Sequence, residues 1–162
     1  MSSSASQNDK NQIVRYKGRV LHTQNFSALC ASDLELKKVS DAFTQYWKTG
    51  YHPSLGKDAA FARPTEMLKL NVRHTHVDNQ DYIPEDSDKK HTGKKSSWDA
   101  WKNIASVQVK CIPTSDCFLV YSVNHNRDAL VMFFVDADAH NITEQEEFNQ
   151  TYWWRPQNVT PQ

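Results

Sequence analysis

Several features that would decide the class of this protein at once are missing from its sequence. No apolar run approaches the roughly 20 residues that a membrane-spanning helix needs, and the polar start, MSSSASQNDKNQ, does not predict a secretory signal. The three cysteines form no CxxC pair, which favours reduced thiols over a zinc site or a cysteine nucleophile. No nucleophile elbow and no internal repeat is present. We therefore expect a soluble, cytoplasmic protein without a serine nucleophile.

Charge of one sign is also missing, because the formal net charge is zero. This argues against a generic binder of polyanions. Basic residues are nevertheless in excess over residues 1–110 and acidic residues over 111–162. Such an asymmetry can steer a polyanion to one face of a protein, or both charges can simply be solvated surface. Composition alone leaves the two possibilities open.

Apolar periodicity and turn residues predict the order of the elements. A capping box of Ser32 and Glu35 predicts the start of a helix, and Gly50 predicts its end in a left-handed turn. The other predicted elements are a strand over 13–21, a loop or short helix over 51–66, a strand over 67–77, a mobile polar insertion over 78–97, a short helix opening at 97–101, strands over 105–112, 117–123 and 129–135, a hairpin loop over 124–128, and a C-terminal helix opened by Thr143 and Glu146.

This order predicts an α+β fold in which helices pack on one face of a single twisted, mainly antiparallel sheet. One domain over 12–154 accounts for the periodic segments, and the tails at 1–11 and 155–162 are expected to be disordered.

Two histidines end the predicted strand over 67–77. Side chains alternate along a strand, so His74 and His76 share one face with the apolar Val72. Their separation, roughly 6.5 to 7 Å along the strand, allows both to flank one phosphate. Histidine suits acid/base chemistry at neutral pH because its unperturbed pKa is about 6.5. Two alternatives stay open: hydrogen-bonded histidines at the end of a core strand, or a metal site completed by Asp78.

A set of short motifs follows one another between about residues 40 and 142. They are Gly50-x-x-Pro53-x-x-Gly56-x-Asp58, Phe61 and Pro64, His74-Thr75-His76, Thr114-Ser115-Asp116, Leu119-Val120-Tyr121, and His140 after the last apolar strand. Taken together, they resemble the YafO family of toxins from bacterial toxin–antitoxin systems. The chain departs from the family in a longer loop after the HxH strand and in Lys57, where arginine is common. Lys57 keeps the positive charge but loses the bidentate fork of arginine.

The resemblance implies a compact RelE-like α+β fold and a ribosome-dependent mRNA endonuclease that inhibits translation. It also implies the ribosome, mRNA and a cognate antitoxin as partners. Metal-free RNA cleavage needs a base for the 2′-OH proton, a cation for the phosphorane and an acid for the leaving 5′-oxygen, and so needs no cofactor. We therefore expect His74 or His76, together with His140, to supply the acid and the base.

Other polar residues are expected to assist this chemistry. Candidates for binding phosphate or RNA are Lys57, Arg63, Arg73 and Arg127. Structural or supporting roles are expected for Asp58 as a cap or loop-holding carboxylate, for Ser115 and Asp116 in a turn, and for Tyr121 in the core. Two alternatives from other classes remain: a domain of the same fold that binds the ribosome or another partner without cutting, and a metal-dependent hydrolase.

Overall fold

A five-stranded sheet forms the centre of the structure, a computed structural model that describes residues 18–61, 65–88, 93–103 and 112–144. The strands are β1 (Val20–His22), β2 (Leu55–Ala60), β3 (Val72–Val77), β4 (Phe118–Val123) and β5 (Ala129–Val135). Their order in the sheet is β1-β5-β4-β3-β2. All neighbours are antiparallel except β1 and β5. The predicted α+β fold with a mainly antiparallel sheet is confirmed, as are the last two strands and their hairpin.

Five helices surround the sheet in the described part of the chain. They are α1 (Gln24–Ser32), α2 (Leu34–Thr49), α3 (Thr65–Lys69), α4 (Lys95–Lys102) and α5 (Ala139–Glu144). The two longest, α1 and α2, pack on one face of the sheet, as the sequence predicts for helices in this fold. None of these helices is both long and apolar enough to cross a membrane.

The main core lies between α2 and the sheet. The rings of Phe43 and Tyr121 have centroids 4.7 Å apart, and Trp47 packs edge-on against Tyr121 at 5.7 Å. All three rings are buried. Full burial of one such side chain contributes about 1.5 to 3 kcal/mol, so this aromatic group holds α2 firmly against β4.

A smaller cluster covers the opposite face of the sheet. Met67 of α3 and Ala139 of α5 pack there against Val72, Phe118 and Val120. Because paired residues of neighbouring strands share a face, His74 and His76 also lie on this side, opposite Val120 and Phe118 of β4. This second face carries the candidate site.

The start of α2 differs from the prediction. Asp33, and not Ser32, is the N-cap, because its carboxylate accepts hydrogen bonds from the N–H groups of Glu35 and Leu36. Ser32 is the last residue of α1, a helix that the sequence did not predict. The predicted end of α2 is confirmed, since Gly50 adopts a left-handed conformation with φ 83°.

The segments on either side of residue 65 were assigned wrongly. Residues 51–66 contain β2, whose Leu55 pairs with Val77 and whose Asp58 pairs with Thr75 across a bulge. The predicted strand over 67–77 divides into α3 and β3, and Leu68 and Leu70 are exposed. Apolar residues at alternate positions favoured a strand, but the first of them belong to a short helix.

The predicted C-terminal capping box is also wrong. Thr143 lies inside α5, and its hydroxyl donates to the carbonyl oxygen of Ala139 at 2.7 Å. Residue 146 lies outside the described residues, as do 1–17, 104–111 and 145–162, so the predicted tails, the strand over 105–112 and most of the strand over 13–21 are not described. The predicted helix near residue 97 begins at Lys95. Mobility of the 78–97 insertion remains a prediction.

Candidate active site

Three histidines meet on the face of the sheet opposite α2. His74 and His76 extend from β3, and His140 reaches them from the first turn of α5. The ring centroids of His74 and His76 are 5.3 Å apart, and those of His76 and His140 are 5.6 Å apart. The structure therefore brings together the three residues that the sequence proposed as acid and base. We call them the histidine cluster.

Two phenylalanines form the walls of the histidine cluster. The Phe118 ring contacts all three histidines, with centroid distances of 4.2 Å to His74, 4.8 Å to His76 and 4.8 Å to His140. The Phe61 ring lies 4.6 Å from His74 on the other side. Sequence reasoning missed this role of Phe118, although the alternation of β4 places it on the face away from Tyr121.

Asp116 fixes the orientation of His140. One carboxylate oxygen, Oδ1, lies 2.7 Å from His140 Nδ1 and accepts the backbone N–H of His140 at 2.8 Å. Partial burial would raise the pKa of Asp116, but the two hydrogen bonds from His140 outweigh burial and lower it. With Nδ1 held by a carboxylate, the other ring nitrogen of His140, Nε2, is the one that can exchange a proton with a substrate. The His140 side chain is 59% exposed, so a substrate can reach it.

His76 is buried, with 4% of its surface exposed, and is held by the backbone of Ser115. Its Nδ1 lies 3.0 Å from the Ser115 N–H and 2.7 Å from the Ser115 carbonyl oxygen. The neutral ring can accept the N–H, and a protonated Nδ1 can donate to the carbonyl. Burial, with the nearby charge of His140 and Lys57, lowers the pKa of His76 to about 4 despite the bond to Ser115. At neutral pH His76 is therefore a neutral imidazole.

His74 has a less satisfied environment. Its Nδ1 is buried and has no hydrogen-bond partner. Burial is the main reason why its pKa falls to about 3, and the charges of His76 and His140 lower it further. His74 is therefore a partly buried histidine on a core strand, as one alternative from the sequence expected. That alternative also expected hydrogen bonds to the ring, and Nδ1 makes none.

The predicted cations separate into different places. Lys57 is exposed on β2, and its charge contributes to lowering the pKa of both His74 and His76, which places it beside the histidine cluster. Arg73 follows Val72 on β3 and faces the other side of the sheet. Arg127 lies at the tip of the β4–β5 hairpin, 5.8 Å from the centre of the Trp47 ring. Arg63 lies outside the described residues.

Asp58 is the centre of a hydrogen-bonded group on the α2 side of the sheet. Its Oδ1 accepts from Arg73 Nε at 2.7 Å, and its Oδ2 accepts from the hydroxyls of Tyr46, at 3.0 Å, and Tyr121. The expected cap or loop role through backbone N–H groups is wrong, because Asp58 lies in a strand and binds side chains. Tyr121 is a core residue, as predicted.

A comparison with family models matches residues 44–155 to the toxin YafO of type II toxin–antitoxin systems. This match covers more than half of the chain. The protein belongs to the YafO toxin family. No curated protein and no solved structure matches the chain.

The matched segment of this YafO toxin contains the whole histidine cluster together with Lys57 and Asp116. A type II toxin has a protein antitoxin as its partner, so the chain is the toxin component of such a pair. The expected family, and with it the expected role as a toxin with a cognate antitoxin, is confirmed.

The possible metal site at the HxH strand does not form as the sequence suggested. The Asp78 carboxylate pairs with Lys102 at 2.5 Å. Within residues 18–61, 65–88, 93–103 and 112–144, no group of three or more His, Cys, Asp or Glu side chains is arranged to hold a metal ion. Ser115 and Asp116 form the predicted bend before β4, in which the Ser115 hydroxyl bonds to the backbone of Cys117.

Proposed function

We propose that this YafO-family toxin is a metal-independent endoribonuclease that cleaves mRNA on the ribosome, with His76 and His140 as its acid/base pair. One observation carries the proposal. Two imidazoles with centroids 5.6 Å apart have opposite electrostatic settings, because one is buried and neutral and the other is exposed and bonded to a carboxylate. Cleavage of a phosphodiester needs such a pair, one ring without its proton and one with it.

The proposed cleavage is an intramolecular transesterification, in which phosphorus exchanges its bond to the 5′-oxygen for one to the 2′-oxygen of the same RNA. His76 takes the 2′-OH proton, and the 2′-oxygen forms a bond to phosphorus. The bond from phosphorus to the 5′-oxygen breaks, and His140 gives its proton to that leaving oxygen. The Asp116 carboxylate holds Nδ1 of His140, so that Nε2 is the nitrogen that delivers the proton. Lys57 neutralises the charge that develops on the non-bridging phosphate oxygens.

His74 is less suited than His76 to be the base. Its lower pKa, about 3 against about 4, makes it the weaker proton acceptor. Its ring lies between Phe61 and Phe118 and beside His76. In this proposal His74 is a positioning residue that keeps the His76 ring in place.

A second candidate function is a domain that binds the ribosome or another partner without cutting. The low pKa of His76 favours it, because general bases work best when their pKa is near the working pH. Under this reading the buried pair serves the core, and the exposed His140 with Asp116 makes polar contacts to a partner.

Mapping RNA 5′ ends in cells after induction separates the two functions. We expect new in-frame 5′ ends with the wild-type chain and at least about 100-fold fewer with His140→Ala. His125→Ala is the matched control, since His125 is an exposed histidine in the β4–β5 hairpin. Full cleavage by His140→Ala would contradict the assignment of His140. Growth arrest by the wild type without new 5′ ends would favour the binding function.

A further inference from the structure

A cavity of about 420 Å³ opens on the α2 side of the sheet, away from the histidine cluster. Its walls include Asp58, Arg73, Arg127, Tyr46, Trp47 and Trp101. The proposed cleavage uses none of them. Ligand-binding cavities commonly have about 300 to 1,000 Å³, so this one can hold a ligand of the size of one nucleotide.

The polar wall of the cavity is held rigidly. Asp58 accepts hydrogen bonds from Arg73, Tyr46 and Tyr121, so its two carboxylate oxygens are both engaged. Arg73 is thereby fixed, and Asp58 neutralises most of its charge. Arg127 adds a second guanidinium from the hairpin, so the charged side chains that line the cavity are two arginines and one aspartate. A ligand with one negative group fits this balance.

Aromatic rings supply the other wall. The Trp101 indole N–H points to the carbonyl oxygens of Leu55, at 2.8 Å, and His52, at 3.2 Å, which fixes the ring. Trp47 lies below the Arg127 guanidinium. Fixed aromatic and guanidinium planes beside a cation are the features with which proteins bind unpaired RNA bases.

We propose that this cavity binds one nucleotide of a single-stranded RNA, with the base against Trp101 and the phosphate against Arg127. The inference rests on the proposed function in taking RNA as the target. An acidic segment of a protein would match the cations but would not use the aromatic wall. The observations therefore favour RNA.

The cavity and the histidine cluster are joined by the edge of the sheet. Arg73 and His74 are neighbours in β3 and point to opposite faces, and β2 is the last strand beside them in the described part of the sheet. Lys57 is exposed on this edge and lies near the histidines. An RNA strand that crosses β2 at Lys57 would place one nucleotide in the cavity and another at the histidine cluster. The cavity would then hold the substrate in register for cleavage.

Fluorescence anisotropy with a fluorescein-labelled, eight-nucleotide single-stranded RNA tests this site on the purified chain. We expect Arg127→Gln to weaken binding about tenfold and to reduce the slope of log affinity against log salt by about 0.7, the value for one phosphate contact. Lys38→Gln is the matched control, because Lys38 is an exposed cation on α2 paired only at the surface with Glu35. It should change neither quantity. Trp101→Leu should weaken binding about tenfold without altering the salt slope.

Three outcomes would overturn the proposal. Equal losses in Arg127→Gln and Lys38→Gln would indicate a general charge effect. Unchanged RNA affinity in Arg127→Gln would show that no nucleotide binds in the cavity. The same conclusion would follow from unchanged affinity in a Trp101→Leu chain with a native circular dichroism spectrum. If Arg127→Gln weakened only antitoxin binding, the cavity would be a protein-binding site.

The binding assay is independent of cleavage. In a His140→Ala chain, which should make no cuts, Arg127→Gln should weaken RNA binding by the same factor as in the wild type. A wild-type chain that bound RNA through Arg127 in the anisotropy assay but produced no new 5′ ends in induced cells would refute the proposed function and leave this inference standing.

Discussion

The two faces of β3 differ in how their buried charged and ionisable groups are hydrogen-bonded. On the α2 side, Asp58 and Arg73 share hydrogen bonds with Tyr46 and Tyr121, and the buried hydroxyl of Thr75 is left without a partner. On the other side, His74 Nδ1 is buried without a partner, and burial lowers the pKa of both strand histidines. Buried polar groups without partners are rare in folded proteins because they cost free energy.

This difference assigns a structural role to the Asp58 group and the proposed chemistry to the histidine cluster. Both carboxylate oxygens of Asp58 are matched by donors, so this group serves as architecture that shapes a cavity. The histidine cluster keeps one unmatched ring nitrogen, His74 Nδ1, beside an exposed His140, an arrangement that suits the proposed proton transfer. Four experiments test the comparison.

The largest effect is expected for Asp58→Ala. Removing the carboxylate leaves Arg73 and two tyrosine hydroxyls without their acceptor. The hydroxyl of the fully buried Tyr121 alone should cost about 1 to 3 kcal/mol, and loss of the part-buried pair with Arg73 adds to this. Urea denaturation measures the free energy of unfolding. Asp99→Ala is the control, because Asp99 pairs with Lys95 on the exposed surface and such pairs contribute about 0 to 1 kcal/mol. Similar losses in both variants would show that the Asp58 group is not the architecture of its face.

Local signals in the sequence predicted much of this fold. The period of α2, the left-handed Gly50 and the apolar run of β5 are each encoded within a few residues. The alternation of β3 correctly placed His74 and His76 on one face. Local rules failed at Asp33 and α3, where a neighbouring residue or a short helix offered an equally good local pattern, and also at α1 and at Thr143, which lies inside α5.

Contacts between distant residues could not be predicted. Asp58 meets Tyr121 across 63 positions, and Asp116 meets His140 across 24. Only the folded sheet brings these residues together. Arg73 is the clearest example of a contact that the sequence could not predict. Its charge suggested phosphate binding, but in the folded sheet it pairs with Asp58 and lies on the face away from the histidines.

The next largest effect is expected from pH, and it should arise on the histidine face. The folded pKa values of His74 and His76, about 3 and about 4, lie below the unfolded value of about 6.5. The unfolded chain therefore binds more protons below pH 6.5, and stability falls on acidification toward pH 4 by up to about 1.4 kcal/mol per pH unit for each histidine. Urea denaturation at pH 6.5, 5.5 and 4.5 measures this slope.

Two variants control the pH experiment. His125→Asn changes an exposed histidine and should keep the slope, whereas His76→Asn should make it shallower. Asp116 and Asp128, whose pKa values are lowered, contribute only at the acidic end of this window, below pH about 5, and the lowered pKa values of His22 and His52 add to the slope equally in every variant. Equal stability at pH 6.5 and 4.5 would mean that both histidines are protonated freely in the folded chain.

A smaller effect is expected for Lys57→Gln. Removal of the exposed ammonium group should lower the rate of RNA cleavage about tenfold, which is a smaller loss than removal of a buried donor would cause. Its loss should also raise the pKa of His76, because the Lys57 charge helps to lower that pKa. Counting 5′ ends after induction measures the first change and an NMR titration the second. Lys57→Arg should retain activity, and a Gln variant with full activity would remove Lys57 from the site.

The smallest effect, and the sharpest test of the contrast between the faces, is expected for His74→Leu. Replacing a buried ring nitrogen that has no partner by an apolar group should raise the free energy of unfolding at pH 7 by about 1 kcal/mol. His76→Leu, two residues along the same face, should lower it by about 1 to 3 kcal/mol, because the buried Ser115 carbonyl oxygen loses the Nδ1–H donor that the base tautomer of His76 supplies.

Cleavage assays on the same two variants complete the test. If His76 is the base, His74→Leu keeps most of the activity while His76→Leu loses it. A His74→Leu chain that is more stable but inactive would move the base to His74, since an unmatched nitrogen would then be the reactive one. Loss of stability in His74→Leu would instead mean that His74 is held by contacts as firm as those of Asp58, and the contrast between the two faces of β3 would disappear.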